Sequence, residues 1–121
     1  MMIDMKMLKN HVQLIGNVGA DPEIRKVGKG VPMIRFSLAT TEFSKNANGE
    51  RVSHTEWHQV VAWNQLAEIV ERLCVKGSEV AVSGKIRYRS YTDREGRERT
   101  STDIVADEIH VFQPRREPVA V

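Results

Sequence analysis

Apolar residues fall at every second position along most of this chain, which is the pattern of half-buried β-strands. One stretch breaks the alternation, because Leu66, Ile69 and Val70 recur there at helical spacing. Asn64 is the expected N-cap of this helix, and Gly77 is expected just past its end. The five predicted strands are His11 to Val18, Met33 to Thr41, Thr55 to Trp63, Glu79 to Tyr91 and Thr100 to Phe112, with a shorter extended piece at Glu23 to Arg25.

The order of these elements predicts an all-β OB fold, a five-stranded Greek-key barrel with one helix between strands 3 and 4. Polar hairpins separate strands 2 and 3 and strands 4 and 5, with Asn48-Gly49 in the first and Gly96 in the second. The alternation of the last strand slips near Asp107-Glu108, as a β-bulge would cause. One domain is expected over residues 1–113, followed by a short tail over 114–121. A β-meander packed on one helix is the alternative architecture.

The cellular setting is constrained by what the sequence lacks. Cys74 is the one cysteine, so no internal disulfide can form, and the residue is expected to be a buried small side chain. A single free thiol suits a reducing compartment. No apolar run near the start resembles a signal peptide, and none in the chain is long enough to cross a membrane. A cytoplasmic location is therefore expected.

The third predicted strand carries both tryptophans of the chain. Side chains alternate across a strand, so Trp57, Val61 and Trp63 share one face, with the two rings roughly 20 Å apart. Two large rings on one face could equally belong to a core. Phe43 lies at the base of the preceding hairpin among polar residues, where a core position is not expected.

The fourth predicted strand carries a row of cations. Lys85, Arg87 and Arg89 alternate on one face and lead to Tyr91, with no acidic residue among them. The net charge of the whole chain is only +2, so this local arrangement is more informative than the total. A solvated strand face is the simpler explanation, but it does not account for an uninterrupted basic row. The opposite face is predicted to be core and consists of Val80, Val82, Gly84, Ile86 and Tyr88.

Motifs spread over about residues 8 to 112 resemble the bacterial single-stranded DNA-binding protein family in order and spacing. No single piece is decisive, but together they are highly specific. The pieces that carry the resemblance are Asn10 to Val18, Gly19-Ala20-Asp21-Pro22-Glu23-Ile24-Arg25, Leu38-Ala39-Thr40, Thr55-Glu56-Trp57-His58, Leu66-Ala67-Glu68, Lys76-Gly77-Ser78 and Tyr91-Thr92-Asp93.

The resemblance implies an OB fold that assembles as a homotetramer, or as a dimer in second place, and wraps single-stranded DNA without reading its sequence. The implied setting is replication, recombination and repair, in association with the nucleoid. His58 matches a histidine that lies near subunit contacts in relatives. The family's stacking aromatics fall on Phe43, Trp57, Trp63 and Tyr91, and the candidate phosphate contacts are Arg35, Lys45, Arg51, Lys85, Arg87 and Arg89.

The chain departs from the family pattern after the last strand. Many bacterial members continue through a Gly- and Pro-rich linker to a short acidic tip that recruits repair and replication enzymes. This sequence ends at Glu117-Pro118-Val119-Ala120-Val121, so recruitment through such a tip is not expected. The sequence does not distinguish a truncated chain from one that naturally lacks the tip.

Two other functions remain as alternatives. His54, Glu56 and His58 alternate along one strand face and could present ligands to a metal, but no third strong ligand or nucleophile–base pair accompanies them. We therefore expect no enzyme activity, no metal and no cofactor. The second alternative is an OB-fold accessory module of the primosome type, which would form a dimer and bind nucleic acid weakly. The presence of all four candidate stacking aromatics argues against this second alternative.

Overall fold

The computed structural model describes residues 6–113, so the predicted tail over 114–121 and the first five residues lie outside the described part. Strand-period segments form strands and the one helical-period segment forms a helix, as the alternation predicts. The elements are α1 (Lys6–Lys9), β1 (Val12–Val18), β2 (Glu23–Val27), β3 (Val31–Lys45), β4 (Arg51–Trp63), α2 (Gln65–Leu73), β5 (Glu79–Thr92) and β6 (Glu98–Val111).

Five of the strands close into a barrel. The sheet runs β1-β5-β6-β4-β3, and β1 returns to pair with β3 at Asn17 and Val18. The remaining strand, β2, pairs with the start of β3 and adds a sixth strand to the sheet, where the sequence predicted only a short extended piece. The predicted OB barrel is therefore confirmed, with α2 between its third and fourth strands, here β4 and β5.

One pairing in the barrel is parallel and short. Gln59, Val60 and Val61 of β4 pair with Asp103, Ile104 and Val105 of β6, and these three residue pairs are the whole register between the two strands. All other pairings in the described sheet are antiparallel. We call this three-pair contact the seam, because it joins the β3–β4 hairpin to the β5–β6 hairpin.

The core fills the barrel with aliphatic side chains from every wall. Ile34, Leu38, Val60, Val80 and Val82 are fully buried, and burial of each contributes roughly 1.5–3 kcal/mol. Helix α2 covers one end of this core through two fully buried residues, Ala67 and Val70. The helix therefore has the ordinary packing role that its apolar stripe predicts.

Two glycines allow strands to pass close together. A Cβ on Gly16 would lie 2.2 Å from the carbonyl oxygen of Ala39, and a Cβ on Gly84 would lie 2.2 Å from that of Val105. Gly84 also marks a register shift between β5 and β6, which leaves Asp107 as the extra residue on β6. The predicted slip near Asp107-Glu108 is thus a β-bulge, and it bends the strand where the barrel turns.

The ends of α2 differ in detail from the prediction. Asn64 occupies the N-cap position, but its φ is 59° and its side chain donates and accepts no capping hydrogen bond. Its backbone N–H instead donates to the carbonyl of Pro32, so Asn64 serves as a tight corner between β4 and the helix. Gly77 lies beyond the C-cap Cys74 with a φ of 92°, within the loop to β5 rather than just past the helix end. Cys74 is buried as predicted, and burial raises the pKa of its thiol.

Within residues 6–113, no helix is both long and apolar enough to cross a membrane.

Candidate nucleic-acid interface

The two tryptophans of β4 lie on the outside of the barrel. Trp57 is 62% exposed and Trp63 is 40% exposed, whereas Val60 and Ala62 point into the core and are fully buried. The face that could have been core is therefore a surface. Gly19 makes room for one of the rings, because a Cβ there would lie 2.7 Å from Cζ3 of Trp57.

A groove follows the tryptophan face across four strands. Arg35 of β3 pairs with Val61 of β4, Val61 pairs across the seam with Val105 of β6, and Val105 pairs with Lys85 of β5. Basic side chains thus stand at both edges of an apolar floor. We call this the β4–β6 groove; it has a volume of about 450 Å³ and is lined by Arg35, Val61, Trp63, Lys85, Arg87, Tyr88, Arg89, Asp103 and Val105.

An acidic residue of the neighbouring strand β6 lies beside the basic row of β5. Asp103 of β6 is 5% exposed and lies in the β4–β6 groove. Nη1 of Arg35 donates to Asp103 Oδ1 at 2.8 Å, and Nε of Arg89 lies 3.4 Å from Oδ2. Ser101 Oγ also donates to Oδ1, at 2.9 Å. The row itself contains no acid, but Asp103 of the neighbouring strand pairs with Arg89 of the row and with Arg35 of β3. Lys85 and Arg87 form no ion pair within the described residues.

These contacts keep Asp103 ionised. Burial raises the pKa of the Asp103 carboxyl group, but the hydrogen bonds from Arg35, Ser101 and Arg89 lower it by more. The pKa of Asp103 is therefore below its usual range, and the groove carries a negative charge at neutral pH beside four positive ones.

The two other candidate aromatics each lie beside an arginine. The guanidinium carbon of Arg51 is 4.1 Å from the ring centroid of Phe43, and that of Arg89 is 5.3 Å from the ring centroid of Tyr91. Phe43 is 59% exposed and Tyr91 is 43% exposed. Lys45 pairs with Arg51 near the end of the β3–β4 hairpin. Ring and cation are thus adjacent on both hairpins, which is the combination that stacks a base and neutralises its phosphate.

The tips of both hairpins have the same turn. Asn46 Oδ1 accepts hydrogen bonds from the N–H groups of Asn48 and Glu50, each at 2.9 Å. Asp93 Oδ1 accepts equivalent bonds from the N–H groups of Glu95 and Arg97, each at 2.9 Å. In each turn the third residue after the acceptor is a glycine in the left-handed region, Gly49 with φ 79° and Gly96 with φ 81°.

In the second hairpin the acceptor is charged. The N–H of Arg97 and then the Arg99 side chain, whose Nε lies 3.0 Å from Asp93 Oδ2, lower the pKa of Asp93. The side chains of Asn46 and Asp93, rather than the Asn-Gly pair alone, close these turns.

Sequence reasoning missed two residues of the groove. Tyr88 was predicted to be core, yet it is 73% exposed, because β5 extends beyond the barrel and both of its faces are solvated there. Polar residues on both faces after Ile86 were the available signal. Asp103 gave no local signal, because it meets Arg35 only through the seam.

The alternative metal site is not assembled. Nε2 of His54 lies 2.6 Å from Oε1 of Glu56, and Nε2 of His58 instead shares a hydrogen bond of 2.8 Å with Oγ1 of Thr40. Across the described ranges, no group of three or more His, Cys, Asp or Glu residues is placed to hold a metal ion. His58 is half-buried, and its predicted place at a subunit contact stays a prediction.

The chain is similar to known proteins over most of its length. The model of the single-strand binding protein family matches residues 9–112. A single-stranded DNA-binding protein 1 of Xylella fastidiosa is 43% identical over 109 residues, which cover 89% of this chain and 80% of that protein. A single-stranded DNA-binding protein of Xanthomonas axonopodis pv. citri is 44% identical over 108 residues, which cover 89% of this chain. The match spans only 60% of the Xanthomonas protein's own length.

Among solved structures, the Plasmodium falciparum SSB in complex with ssDNA superposes with a TM-score of 0.77 at 29% identity, and the match covers 86% of this chain and 95% of that one. Fold, sequence and the extent of the family match agree. The chain belongs to the single-strand binding protein family.

Proposed function

We propose that this chain binds single-stranded DNA without reading its sequence and protects it during replication, recombination and repair. The observation that carries the proposal is the outer face of β4, where two tryptophans are exposed and one of them, Trp63, lines a groove edged by cations. Relatives named single-stranded DNA-binding proteins support it. Trp57, Trp63, Phe43 and Tyr91 are the proposed stacking rings, and the proposed phosphate contacts are Arg35, Lys45, Arg51, Lys85, Arg87 and Arg89.

The physical basis is stacking together with charge neutralisation. Each base stacked on an aromatic side chain contributes about 1–3 kcal/mol whatever the base is, so four rings supply roughly 4–12 kcal/mol before the cost of ordering the strand. The cations release counterions from the phosphates, which adds affinity that depends on salt but not on sequence. Neither contribution distinguishes one base from another.

Helix α2 does not have the features of a recognition helix for duplex DNA. Its buried residues Ala67 and Val70 fix it against the barrel, and its exposed side includes the acids Glu68 and Glu71. With Arg72 as its one exposed cation, the helix carries a net negative charge, which disfavours entry into the major groove of a duplex. The exposed rings need unpaired bases, which a duplex keeps inside its stack.

The test is a titration of the protein with poly(dT) and with a blunt duplex of equal length, at two salt concentrations. Tryptophan fluorescence is the signal that reports binding. We expect tight binding and quenching with poly(dT), weakened by salt, and little binding to the duplex. Comparable affinity for the two would contradict the proposal. Weak binding to both, by a protein that is a dimer, would favour the accessory-module alternative.

Self-assembly into a homotetramer is part of the proposal. Within the described residues, β1 pairs with β3 only at Asn17 and Val18, so the rest of that strand edge is open. The outer face of the β1–β5–β6 sheet also exposes Ile15 at 55% and Phe112 at 43%. An open edge beside an apolar face is suited to another copy of the chain, with His58 proposed at a subunit contact.

Light scattering on the same sample tests the assembly. We expect the mass of four chains in the absence of DNA. The mass of two chains would indicate the dimer, which is the assembly expected in second place. The mass of one chain at micromolar concentration would contradict the proposal. Substitution of Ile15 by Lys is expected to lower the measured mass, because it places a charge on the apolar face.

No catalytic step or cofactor belongs to this proposal, because stacking and ion pairing with the strand involve no bond that forms or breaks. The relatives named above are DNA-binding proteins by name. We place the protein beside the nucleoid in the cytoplasm, where single-stranded DNA of replication arises.

A further inference from the structure

The proposed phosphate-binding surface contains a carboxylate, that of Asp103, among its cations. Asp103 is the one charged residue that is buried within the described part of the chain. A bound strand would pass close to it, because it lines the same groove as Trp63, Lys85 and Arg87. Its negative charge alone would repel phosphates, and removing a carboxylate from water is unfavourable unless hydrogen bonds compensate for it.

The compensation comes from two arginines on different strands. Arg35 on β3 donates to Oδ1, and Arg89 on β5 approaches Oδ2, so both oxygens of Asp103 are engaged. Arg35 reaches Asp103 over β4, the strand that lies between β3 and β6 in the sheet. The carboxylate thus links one cation from each side of the seam.

Each arginine keeps donors available for a second partner. Arg35 uses Nη1 and Arg89 uses Nε toward Asp103, whereas a guanidinium carries five N–H donors in a planar fork. Their side chains remain 33% and 49% exposed, so part of each one reaches solvent. Both can therefore hold Asp103 and a phosphate at the same time. The Arg89 guanidinium also stays beside the ring of Tyr91.

We propose that Asp103 is a positioning residue, which holds Arg35 and Arg89 in the conformations that receive phosphates of the single strand. The inference rests on the proposed function and assigns a role within that same site. Long cationic side chains lose rotamer freedom when they contact a ligand, and side chains ordered in advance lose less. Asp103 thus favours binding through the two arginines, although its own charge opposes binding.

The decisive experiment is the Asp103→Asn variant, because the two roles of a carboxylate predict opposite signs. If Asp103 acted only as a negative charge, the variant would bind poly(dT) several-fold more tightly, since the protein gains one positive unit. If Asp103 positions the arginines, the variant binds about tenfold more weakly at 0.1 M salt despite that gain. Tighter or equal binding by the variant overturns the proposal.

Glu56→Gln provides the matched control for charge. Glu56 lies on β4 next to Trp57 and pairs with His54 rather than with an arginine. Its replacement by Gln removes one negative charge, as Asp103→Asn does. We expect unchanged or slightly tighter binding. A tenfold weakening by this control as well would show that the effect of Asp103→Asn does not act through the arginines.

A second background separates positioning from folding. In an Arg35→Gln, Arg89→Gln protein there are no arginines left to position, so adding Asp103→Asn is expected to tighten binding rather than weaken it. A further weakening there would overturn the proposal. If Asp103→Asn melts too early to be titrated, Arg35→Lys with Arg89→Lys keeps the net charge and is expected to bind about fivefold more weakly. Full affinity of this pair would overturn the proposal too.

The parent protein distinguishes the two levels of inference. If the parent fails to bind poly(dT), the proposed function is wrong, and the positioning role that rests on it is overturned with it. If the parent binds and only the sign of the Asp103→Asn effect differs from expectation, the positioning role is wrong and the proposed function stands.

Discussion

Replacing both Trp57 and Trp63 by alanine is expected to weaken binding to poly(dT) by about 2–6 kcal/mol, since each ring contributes about 1–3 kcal/mol per stacked base. Trp57 is 62% exposed and Trp63 is 40% exposed, and neither ring belongs to the barrel core, so both present surface on which a base can stack. The melting temperature should therefore change little. Trp57→Ala and Trp63→Ala singly should each produce about half of the loss.

The measurement is competition against a labelled oligo(dT), because the variant lacks the fluorescence used for the parent. Trp57→Phe with Trp63→Phe is the matched control, since it keeps a π face at each site and should retain most of the affinity. A variant that melts many degrees lower but binds normally per folded molecule would mean that the tryptophans are structural after all.

Removal of Lys85 and Arg87 should change the salt dependence of binding. Single-strand affinity falls with salt at a slope of about −0.7 per phosphate neutralised, so Lys85→Ala with Arg87→Ala should flatten the plot of log K against log salt by about 1.4. These two cations have no acidic partner within the described chain, unlike Arg35 and Arg89. A phosphate would therefore not have to compete with an existing ion pair at either cation. The change should be the same on poly(dT) and on mixed-sequence strands, because phosphates carry no sequence information.

Arg72→Ala is the control for loss of charge alone. Arg72 is exposed on helix α2, away from the β4–β6 groove, and its removal should alter the slope far less. Parallel salt plots for the parent and the Lys85→Ala, Arg87→Ala variant would mean that this face does not touch the strand. The binding path would then have to follow Lys45 and Arg51 instead.

The sequence predicted the fold well because each barrel wall keeps its alternation where it is buried. Val80, Val82 and Gly84 alternate as predicted and are all buried. The pattern loses its meaning past Ile86, because β5 and its partner then leave the core, and Tyr88 has solvent on its side of the strand. Asn64 shows a second limit: the residue type predicted the helix start, but its left-handed φ follows from the corner that β4 must turn.

The sequence predicted the site residues that share a strand. It did not predict the contacts that site residues of different strands make with one another. Trp57 with Trp63, and Lys85 with Arg87, follow from the two-residue period within one segment. Asp103 lies 14 residues from Arg89, within the β5–β6 hairpin, and 68 residues from Arg35, which only the register of the seam brings to it. The order of the elements predicts which strands are neighbours but not their register, so no sequence pattern predicted the contact between Arg35 and Asp103.

The seam has a thermodynamic consequence for a strand-binding barrel. Three residue pairs join β4 to β6, and the groove lies across them, with Arg35 and Trp63 on one side and Lys85 and Arg87 on the other. If the seam opens, the two halves of the groove separate and no longer form one surface. A ligand that needs both halves binds only the closed barrel and stabilises it by RT ln(1 + [L]/Kd). We therefore expect a bound strand to stabilise the closed barrel at one of its two short pairings, the seam, which has three residue pairs where β1 and β3 have two.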